Sequence, residues 1–407
     1  MIRTYKFRLY PSRKQEDLLL QHSDLSRWLW NELLEATKKH YKDFGYFLSK
    51  QALQLMCKRY GLYAQTAQAV AHKVFNSVMR YLKSKKKGVK YGFPRFKSRH
   101  RGTQSLYYPQ SGFRFQMNGK LKVSPFGAMN VRTHRDIEGE IKTLTVKRTP
   151  TGKWFVTIVS ELLNKQPQPR LYNPIGVDLG VEKLATLSDG ITISNPRHLR
   201  GLEERLAIQQ RKLSRKVERS NNYRKQSMKV AKVHEKIKDT RNDYLHTFST
   251  WLVNNYSHIA LEDLQVNNMT KNHRLAKAIS DASWGKFTDF IDYKAESAGS
   301  QVVYVNPRNT SQECSGCGNK VSKPLSQRTH SCPCGVVMDR DLNASRNILK
   351  RATLAMRGSN ALRDEPIGSS VMREARIING QLTPPFGLNR PLKALFKGGL
   401  YGFTLSI

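Results

Sequence analysis

The chain has 407 residues with 39% apolar content, enough for two or three domains with cores of their own, which excludes wholesale disorder. Lysine and arginine outnumber aspartate and glutamate 70 to 31, so the formal charge is 70 − 31 = +39. A body with that self-repulsion wants a polyanion, and nucleic acid is the first candidate.

Residues 2–9 (IRTYKFRL) alternate as a strand does, and Pro11-Ser12 then opens a helical segment in which Leu18, Leu25, Trp28, Leu29 and Leu33 recur at helix spacing. The opening carries no signal-peptide core, and no apolar run approaches the roughly 18 residues of a membrane span, so a cytoplasmic protein without a membrane partner is expected. The helical block continues through Gln51 to about Leu82, with Cys57 expected as a buried small hydrophobe. It ends in a run from Arg80 to Arg101 that holds ten Lys/Arg and no acid. This run faces nucleic acid by charge, through Lys85, Lys86, Lys87, Lys90, Arg95, Lys97 and Arg99. The interleaved Tyr91, Phe93 and Phe96 either stack on bases or pack under the loop.

From about Leu106 to Leu163 short alternating segments (FRFQM, KLKV, TLTVKR, WFVTIVS) read as a small antiparallel barrel or sheet. Pairing of the opening strand with it makes the helical block an insertion into a β domain. After the linker NKQPQPR at 164–170 the pattern turns to mixed β/α: the strands IGVDLG, KLATLSD, HIALEDL and QVVYVNP alternate with helices and predict one layered domain. The stretch from Arg200 to Arg241 carries fourteen Lys/Arg against five Asp/Glu. It predicts two amphipathic arms joined near Ser220-Asn221-Asn222, with Arg211, Lys212, Arg215 and Lys216 on a basic face toward a duplex. Beyond Met356 the patterning weakens and no independent domain is expected.

Three carboxylates fall where this β/α domain presents strand ends or helix starts: Asp178 in IGVDLG, Glu262 in IALEDL and Asp341 in DRDLNAS. An Asp inside an apolar strand is costly unless something positive compensates, and divalent metal is the usual compensator when carboxylates converge. Phosphodiester cleavage by two Mg²⁺ ions requires such convergence. Taken singly each acid reads as a surface or capping residue, Asp341 as the cap of the helix LNASRNIL. Asp339 competes for the third place, while Asp263 points to the other side of its strand. Gly176 and Gly180 flank the strand Asp and are read as room for close backbone approach by substrate.

Cys314-Ser-Gly-Cys317 and Cys332-Pro-Cys334, with Gly316, Gly318 and Gly335 beside them, form a four-thiolate set that predicts a structural Zn²⁺ fixing the loop that delivers Asp341. The second knuckle has one residue between its cysteines where two are usual. A disulfide pair is the alternative, and His330 is the substitute ligand if Cys334 falls short.

KFRLYPS near the start, YGFPRFKSR, GVDLG, ALEDL, SxxSWGKF at 280–287, NPRNTSQECSGCG and CGxxxDRDLNAS follow one another in order through about Leu349. In that order and spacing the chain resembles TnpB, the transposon-associated nuclease family related to type V CRISPR effectors. The resemblance implies an α/β multidomain protein with an RNase H-like (RuvC) nuclease domain, a zinc-ribbon insert and a β-barrel wedge domain carrying a helical recognition insertion. The implied boundaries are wedge 1–10 and 106–168, recognition lobe 11–105, nuclease domain 169–310 and 336–356 with the basic hairpin 198–255, zinc insert 311–335 and tail 357–407. It makes Asp178, Glu262 and Asp341 the catalytic carboxylates holding Mg²⁺ and Cys314, Cys317, Cys332 and Cys334 the zinc ligands. Gln68 falls near positions that touch a target-adjacent motif. The implied partners are a transposon-derived guide RNA (ωRNA, or reRNA), one protein per RNA, and double-stranded target DNA, in a prokaryotic cytoplasm. The CPC knuckle, Ser345 where alanine is commoner and the tail depart from the pattern. A nuclease-inactive RNA-guided repressor, a strand-transfer transposase carrying an end-binding helix-turn-helix, and a structural RNA-binding protein are the competing functions.

Overall fold

The computed structural model describes residues 2–360 apart from 58–60, 89–90, 99–104, 117–118, 163–170, 198–199 and 325. Two compact units emerge: residues 1–165 with 217–232, and residues 166–216 with 233–407.

In the first unit, β1 (Ile2–Tyr10) alternates exposed and buried residues as its sequence does, and sends Tyr5, Phe7 and Leu9 into the core. Pro11 ends the strand and Ser12 caps α1 (Arg13–Phe44) in a capping box with Gln15. The Gln15 amide also donates to the carbonyls of Phe126 and Ala128, each at 2.9 Å, and so ties the helix start to the sheet. The helix buries Leu19, Leu29, Trp30, Leu33 and Leu34. Trp28, expected on that stripe, is 61% exposed instead, because the indole of Trp30 takes the inward position and donates to the Arg95 carbonyl. Gly45 closes the helix at φ 77°. The helices α2 (Lys50–Met56) and α3 (Ala64–Lys86) pack on α1 around Leu53, Cys57, Val70 and Val74.

The β part follows as β2 (Ser105–Tyr108), β3 (Phe113–Phe115), β4 (Lys120–Val123), β5 (Gly127–Arg132), β6 (Glu140–Arg148) and β7 (Trp154–Glu161). Their order is β2-β6-β7-β1-β5-β4-β3, antiparallel throughout, so β1 lies centrally between β7 and β5. The sheet curls until its two edges, consecutive in the chain, approach: the Tyr108 hydroxyl donates to the Ser124 carbonyl at 2.7 Å, and the Ser124 N–H to the Gly112 carbonyl at 2.7 Å. Leu106, Val123, Val146, Trp154, Val156 and Ile158 fill the inside.

In the second unit β8 (Pro174–Leu179), β9 (Lys183–Leu187) and β10 (Thr192–Ser194) form a meander. The helices α4 (Arg200–Ser214) and α5 (Asn221–Asn255) follow, joined at 215–220. The basic hairpin is there, but only its start and its end belong to the second unit, while its middle, residues 217–232, groups with the first. Next come β11 (His258–Glu262), α6 (Val266–Met269), α7 (His273–Ala282), α8 (Trp284–Ala298), β12 (Gln301–Val305), the hairpin β13 (Thr329–Ser331) and β14 (Val337–Asp339), and α9 (Arg340–Asn360). The sheet order is β10-β9-β8-β11-β12, with β8, β11 and β12 parallel.

Alternation along β8 and β11 divides this sheet into two faces. Ile175, Val177, Ile259 and Leu261 enter a large core with Leu245, Phe248 and Leu252 of α5 and Phe287 and Ile291 of α8. The other face takes α9, whose Ile348 and Ala352 pack on Ala260 and Val305. Contact is closest at Gly176, where an added Cβ would stand 2.1 Å from the Ser345 carbonyl oxygen and 2.8 Å from the Leu349 nitrogen. The sequence reading of Gly176 as room for substrate is therefore corrected: it is room for a helix.

Since backbone cannot yield as a flexible side chain can, Gly176→Ala must push α9 off β8, an overpacking cost of about 1–3 kcal/mol. Thermal unfolding followed by circular dichroism should show a midpoint lowered by roughly 2–10 °C for a unit of this size.

Candidate functional site

The parallel register sets Val177 opposite Leu261, so Asp178 and Glu262, one residue further along each strand, come to the same level. Asp178 shares parity with Gly176, and Glu262 with Ala260, so both carboxylates project from the α9 side of the sheet. Asp341 lies in the first turn of that helix. Acids from three separate stretches of sequence thus open onto one face.

The electrostatics of Asp178 register both of the other acids. Burial, and after it the charges of Glu262 and Asp341, hold the Asp178 carboxyl well above the usual carboxylate range, with Arg340 opposing. Burial also raises Glu262, against the Thr310 hydroxyl that donates to its Oε1 at 2.5 Å and the charge of Arg351. Asp341 is raised by burial and by Asp339, with Arg328, Lys183 and Arg340 opposing.

Asp339 plays a different part. Its Oδ1 accepts from the backbone N–H of Asp341 at 2.8 Å and of Leu342 at 3.2 Å, which makes it the cap of α9. Burial works against its ionisation, but the Lys183 ammonium, 3.0 Å from Oδ2, and those two N–H groups outweigh it and hold its carboxyl below the ordinary value. Asp341, read singly as the capping residue, is relieved of that duty by Asp339. Asp263 is exposed, with its N–H on the Val305 carbonyl.

The four thiols form the second candidate centre. Among the described residues they are the one set of three or more His, Cys, Asp or Glu ligand atoms lying within 4.8 Å of one another, so the acids stand wider apart than the sulfurs do. Cys314 Sγ lies 3.6 Å from Cys334 Sγ, and Cys317 Sγ 3.5 Å from Cys332 Sγ. Tetrahedral zinc with bonds of about 2.3 Å sets its sulfurs about 3.8 Å apart, so the spacing fits. All four are free thiols, and a disulfide would need sulfurs about 2.05 Å apart. The short CPC knuckle reaches because Gly335, at φ 90°, turns the chain and donates to the Cys332 carbonyl at 3.0 Å. His330 is buried, with Nδ1 2.5 Å from Lys323 Nζ, and Cys334 leaves no ligand place for it.

A feature missed in the sequence links the centres. Asn343, Asn347 and Arg351 recur every fourth residue along α9. The Asn343 and Asn347 amides both donate to the Glu313 carbonyl at 2.7 Å, and Asn347 also to the Thr310 carbonyl at 2.8 Å. Arg351 reaches the Asn306 and Arg308 carbonyls and the Glu313 carboxylate. This polar stripe binds the 306–315 segment, which presents Thr310 to Glu262 and Cys314 to the thiol cluster. Its signal was a polar residue at helical spacing on a helix that must otherwise bury itself.

The residues expected at nucleic acid distribute unevenly. Lys85, Lys86 and Lys87 are exposed at the end of α3, and Gln68 is exposed within it. Arg211, Lys212, Arg215 and Lys216 are exposed at the end of α4 and in the turn after it. Residues 91–98 run as a strap along α1, where Asn31 exchanges hydrogen bonds with the Lys97 backbone at 2.7 and 3.0 Å. Tyr91 and Phe96 keep 47% and 50% of their surface, and Arg95 is exposed. Phe93 packs inward between Phe47 and Tyr81, so of the two fates read for it the packed one holds. The Lys97 ammonium lies 3.9 Å over the Trp30 ring, and burial with Lys73 nearby pushes it down to about 8. Lys90 and Arg99 lie outside the described residues.

Comparison with known proteins adds the following. Residues 143–273 match the family model OrfB_IS605, described as "Probable transposase", and residues 284–348 the Cas12f1-like TNB domain. Residues 1–45 match a model described as a helix-turn-helix domain, although residues 2–44 form one strand and one continuous helix. The chain is 35% identical over 387 residues to a Streptomyces pristinaespiralis protein named "Putative RNA-guided DNA endonuclease", covering 92% of this chain and 95% of the relative. It is 30% identical over 370 residues to InsQ of Escherichia coli K12, which has the same description, covering 86% and 92%. Among solved structures it resembles the cryo-EM structure of a Cas12f1–sgRNA–target DNA complex at TM-score 0.54 and 12% identity, over 86% of this chain and 98% of that one, a likeness of fold. No helix of the described residues is long and apolar enough to cross a membrane.

Two measurements check the centres. Cys334→Ser should release the bound zinc, read by metal analysis as a fall from about one ion per chain toward none. A carboxyl raised by burial and like charge makes the fold less stable as pH climbs from the ordinary carboxylate range through its own higher value, since the folded state then binds more protons than the unfolded one. Without added divalent cation, Asp178→Asn should therefore melt higher than wild type at about pH 8, and the gap should close toward about pH 4.

Proposed function

Because the chain belongs to the TnpB family of transposon-encoded nucleases, we propose that it is an RNA-guided DNA endonuclease whose cutting centre is formed by Asp178, Glu262 and Asp341. The observation that carries this reading is the placement of three acids, drawn from distant parts of the chain, on one face of the β8–β11 sheet, where the charges of Glu262 and Asp341 bear on the buried Asp178. A fold holds like charges in a half-buried cleft at a cost to its own stability, and divalent cations are the ligands that relieve it.

The donor set suits magnesium: oxygens alone, anionic and partly open to solvent. When bound at Asp178, Glu262 and Asp341, two Mg²⁺ ions provide a water of lowered pKa and charge compensation for the leaving oxygen of a phosphodiester. The chain's own contribution is positioning. Thr310 fixes the orientation of Glu262 by its hydroxyl, and Asp339 takes the helix cap and the Lys183 ion pair so that Asp341 keeps its oxygens for the cleft. The four thiolates hold a structural zinc, since all four ligand places are filled from the protein.

In this reading residues 169–310 and 336–356 are the RuvC domain, with zinc-ribbon insert 311–335. Residues 1–10 and 106–168 are the wedge, 11–105 the recognition lobe and 357–407 a tail. One protein binds one transposon-derived guide RNA. Base pairing reads the target, while exposed Lys85–Lys87, Arg95, Arg211, Lys212, Arg215 and Lys216 hold backbone. Base-specific contact is confined to the target-adjacent motif near Gln68. The chain carries all three acids, which disfavours the inactive repressor. Residues 2–44 form a strand and one helix where a strand-transferase would want an end-binding pair of helices.

Purified protein with its co-purifying RNA should cut a plasmid bearing a guide-matched site next to the motif, only with Mg²⁺. Asp178→Ala should reduce cutting to the level without protein while RNA still co-purifies. Sequencing should find one defined RNA species. Wild-type binding without cutting overturns the nuclease reading, and random cellular RNA overturns the guided one.

A further inference from the structure

Apart from the carboxylates and the thiols, one surface of the first unit combines aromatic walls with cations and lacks an acid. It is a groove of about 220 Å³ between the last turns of α1 and α3 and the segments carrying Phe47 and Phe93. Tyr41 and Phe47 stack there with ring centroids 4.3 Å apart and planes at 13°. Tyr41 nevertheless keeps 46% of its surface exposed, so one ring face is taken by Phe47 while much of the ring still meets solvent. Behind them Phe93 is set by Phe47 at 5.9 Å and by Tyr81 edge-on at 5.3 Å, which makes the walls preformed. Lys38 stands 5.4 Å over the Phe93 ring and 4.6 Å over that of Phe96, and Lys85 completes the lining.

Size and charge narrow the occupant. The volume falls below the roughly 300–1,000 Å³ that drug-sized ligands fill, and flat aromatic walls suit a single planar ring. The lining has two lysines and no carboxylate, and Lys83, Lys86 and Lys87 extend the positive charge along the same helix end. A neutral aromatic side chain from a protein partner would make no use of that charge. A planar ring that carries an anion on either side is a nucleotide within a strand, and the base must be unpaired, because a paired base already has both faces covered by its neighbours.

We propose that this groove receives one unpaired base of a single-stranded nucleic-acid segment, stacked against Tyr41, with Lys38 and Lys85 on the flanking phosphates. The proposal rests on the nucleic-acid-guided reading above and deepens it, since either a guide-RNA single strand or a displaced DNA strand has this chemistry. Aromatic stacking tolerates any base, so the groove positions a strand without reading its sequence.

The test uses the full-length chain, freed of nucleic acid at high salt. It is titrated with short single-stranded oligonucleotides carrying one 2-aminopurine, as RNA and as DNA, and with a plain duplex of equal length. Stacking should quench the 2-aminopurine on the wild type. Tyr41→Ala and Phe47→Leu should bind single strands about tenfold more weakly and lose most of the quench, with duplex affinity and melting midpoint unchanged. Tyr41→Phe should behave as wild type. Tighter binding of the RNA probe assigns the groove to the guide, and tighter binding of the DNA probe to the displaced strand. Quench and affinity equal to wild type in both variants, or an equal loss for the duplex, overturn the proposal. Plasmid cleavage by the wild type is scored separately. Cleavage with no variant effect on the probe sinks the groove alone, whereas absent cleavage sinks the nuclease reading and leaves the titration to decide the groove.

Discussion

The arrangement of the second unit depends on how closely a helix can lie on a strand. The Gly176 backbone sits against the backbone of α9 at Ser345 and Leu349, an approach that any Cβ would forbid. Closeness there does two things. It buries Ala260, Val305, Ile348 and Ala352 in a thin apolar layer, and it carries the first turn of α9 to the strand ends where Asp178 and Glu262 wait. Packing stabilises and charge opposes. The layer of small side chains supplies contact energy just where three carboxylates would drive the elements apart.

Around this conflict the chain distributes positive groups without neutralising the acids outright. Arg340, Arg328, Lys183 and Arg351 each lower the cost of ionisation at one carboxylate or another. The closest ion pairs among them, Lys183 with Asp339, Arg351 with Glu313 and Arg328 with Glu182, engage other acids, and Arg328 approaches Asp341 only to 3.9 Å. The cleft is left with a deficit of positive charge, the condition in which cation binding is most favourable. A fully paired triad would be a more stable fold and a poorer metal site.

Much of this could be read from residue order, and the failures are instructive. The acids were legible because an Asp inside IGVDLG violates the strand's own apolar logic, and the thiols because cysteines at knuckle spacing in a basic chain have few other uses. Pairing of the first strand with a later β part followed from its alternation, and β1 does lie between β7 and β5. What stayed hidden depends on partners remote in sequence. Trp28 and Trp30 are equally apolar, and the phase of α1 set by Leu33, Leu34 and Thr37 turns Trp30 inward, where its indole meets the carbonyl of Arg95, 65 residues on. Phe93 could not be told from a stacking residue until Phe47 and Tyr81 closed on it. The competition between Asp339 and Asp341 was visible, but its resolution needed the strand-to-helix junction, where the earlier residue is the only one placed to cap.

The third acid enters on α9, the last described element of the chain, 79 residues after Glu262 and 163 after Asp178. A ribosome has to finish nearly the whole described fold before that residue can join the others. On the proposed reading, the emerging polypeptide therefore owns its basic surface throughout synthesis but not yet the three acids together. On that reading its capacity to cut arrives last, with the helix that the β8–β11 sheet must receive.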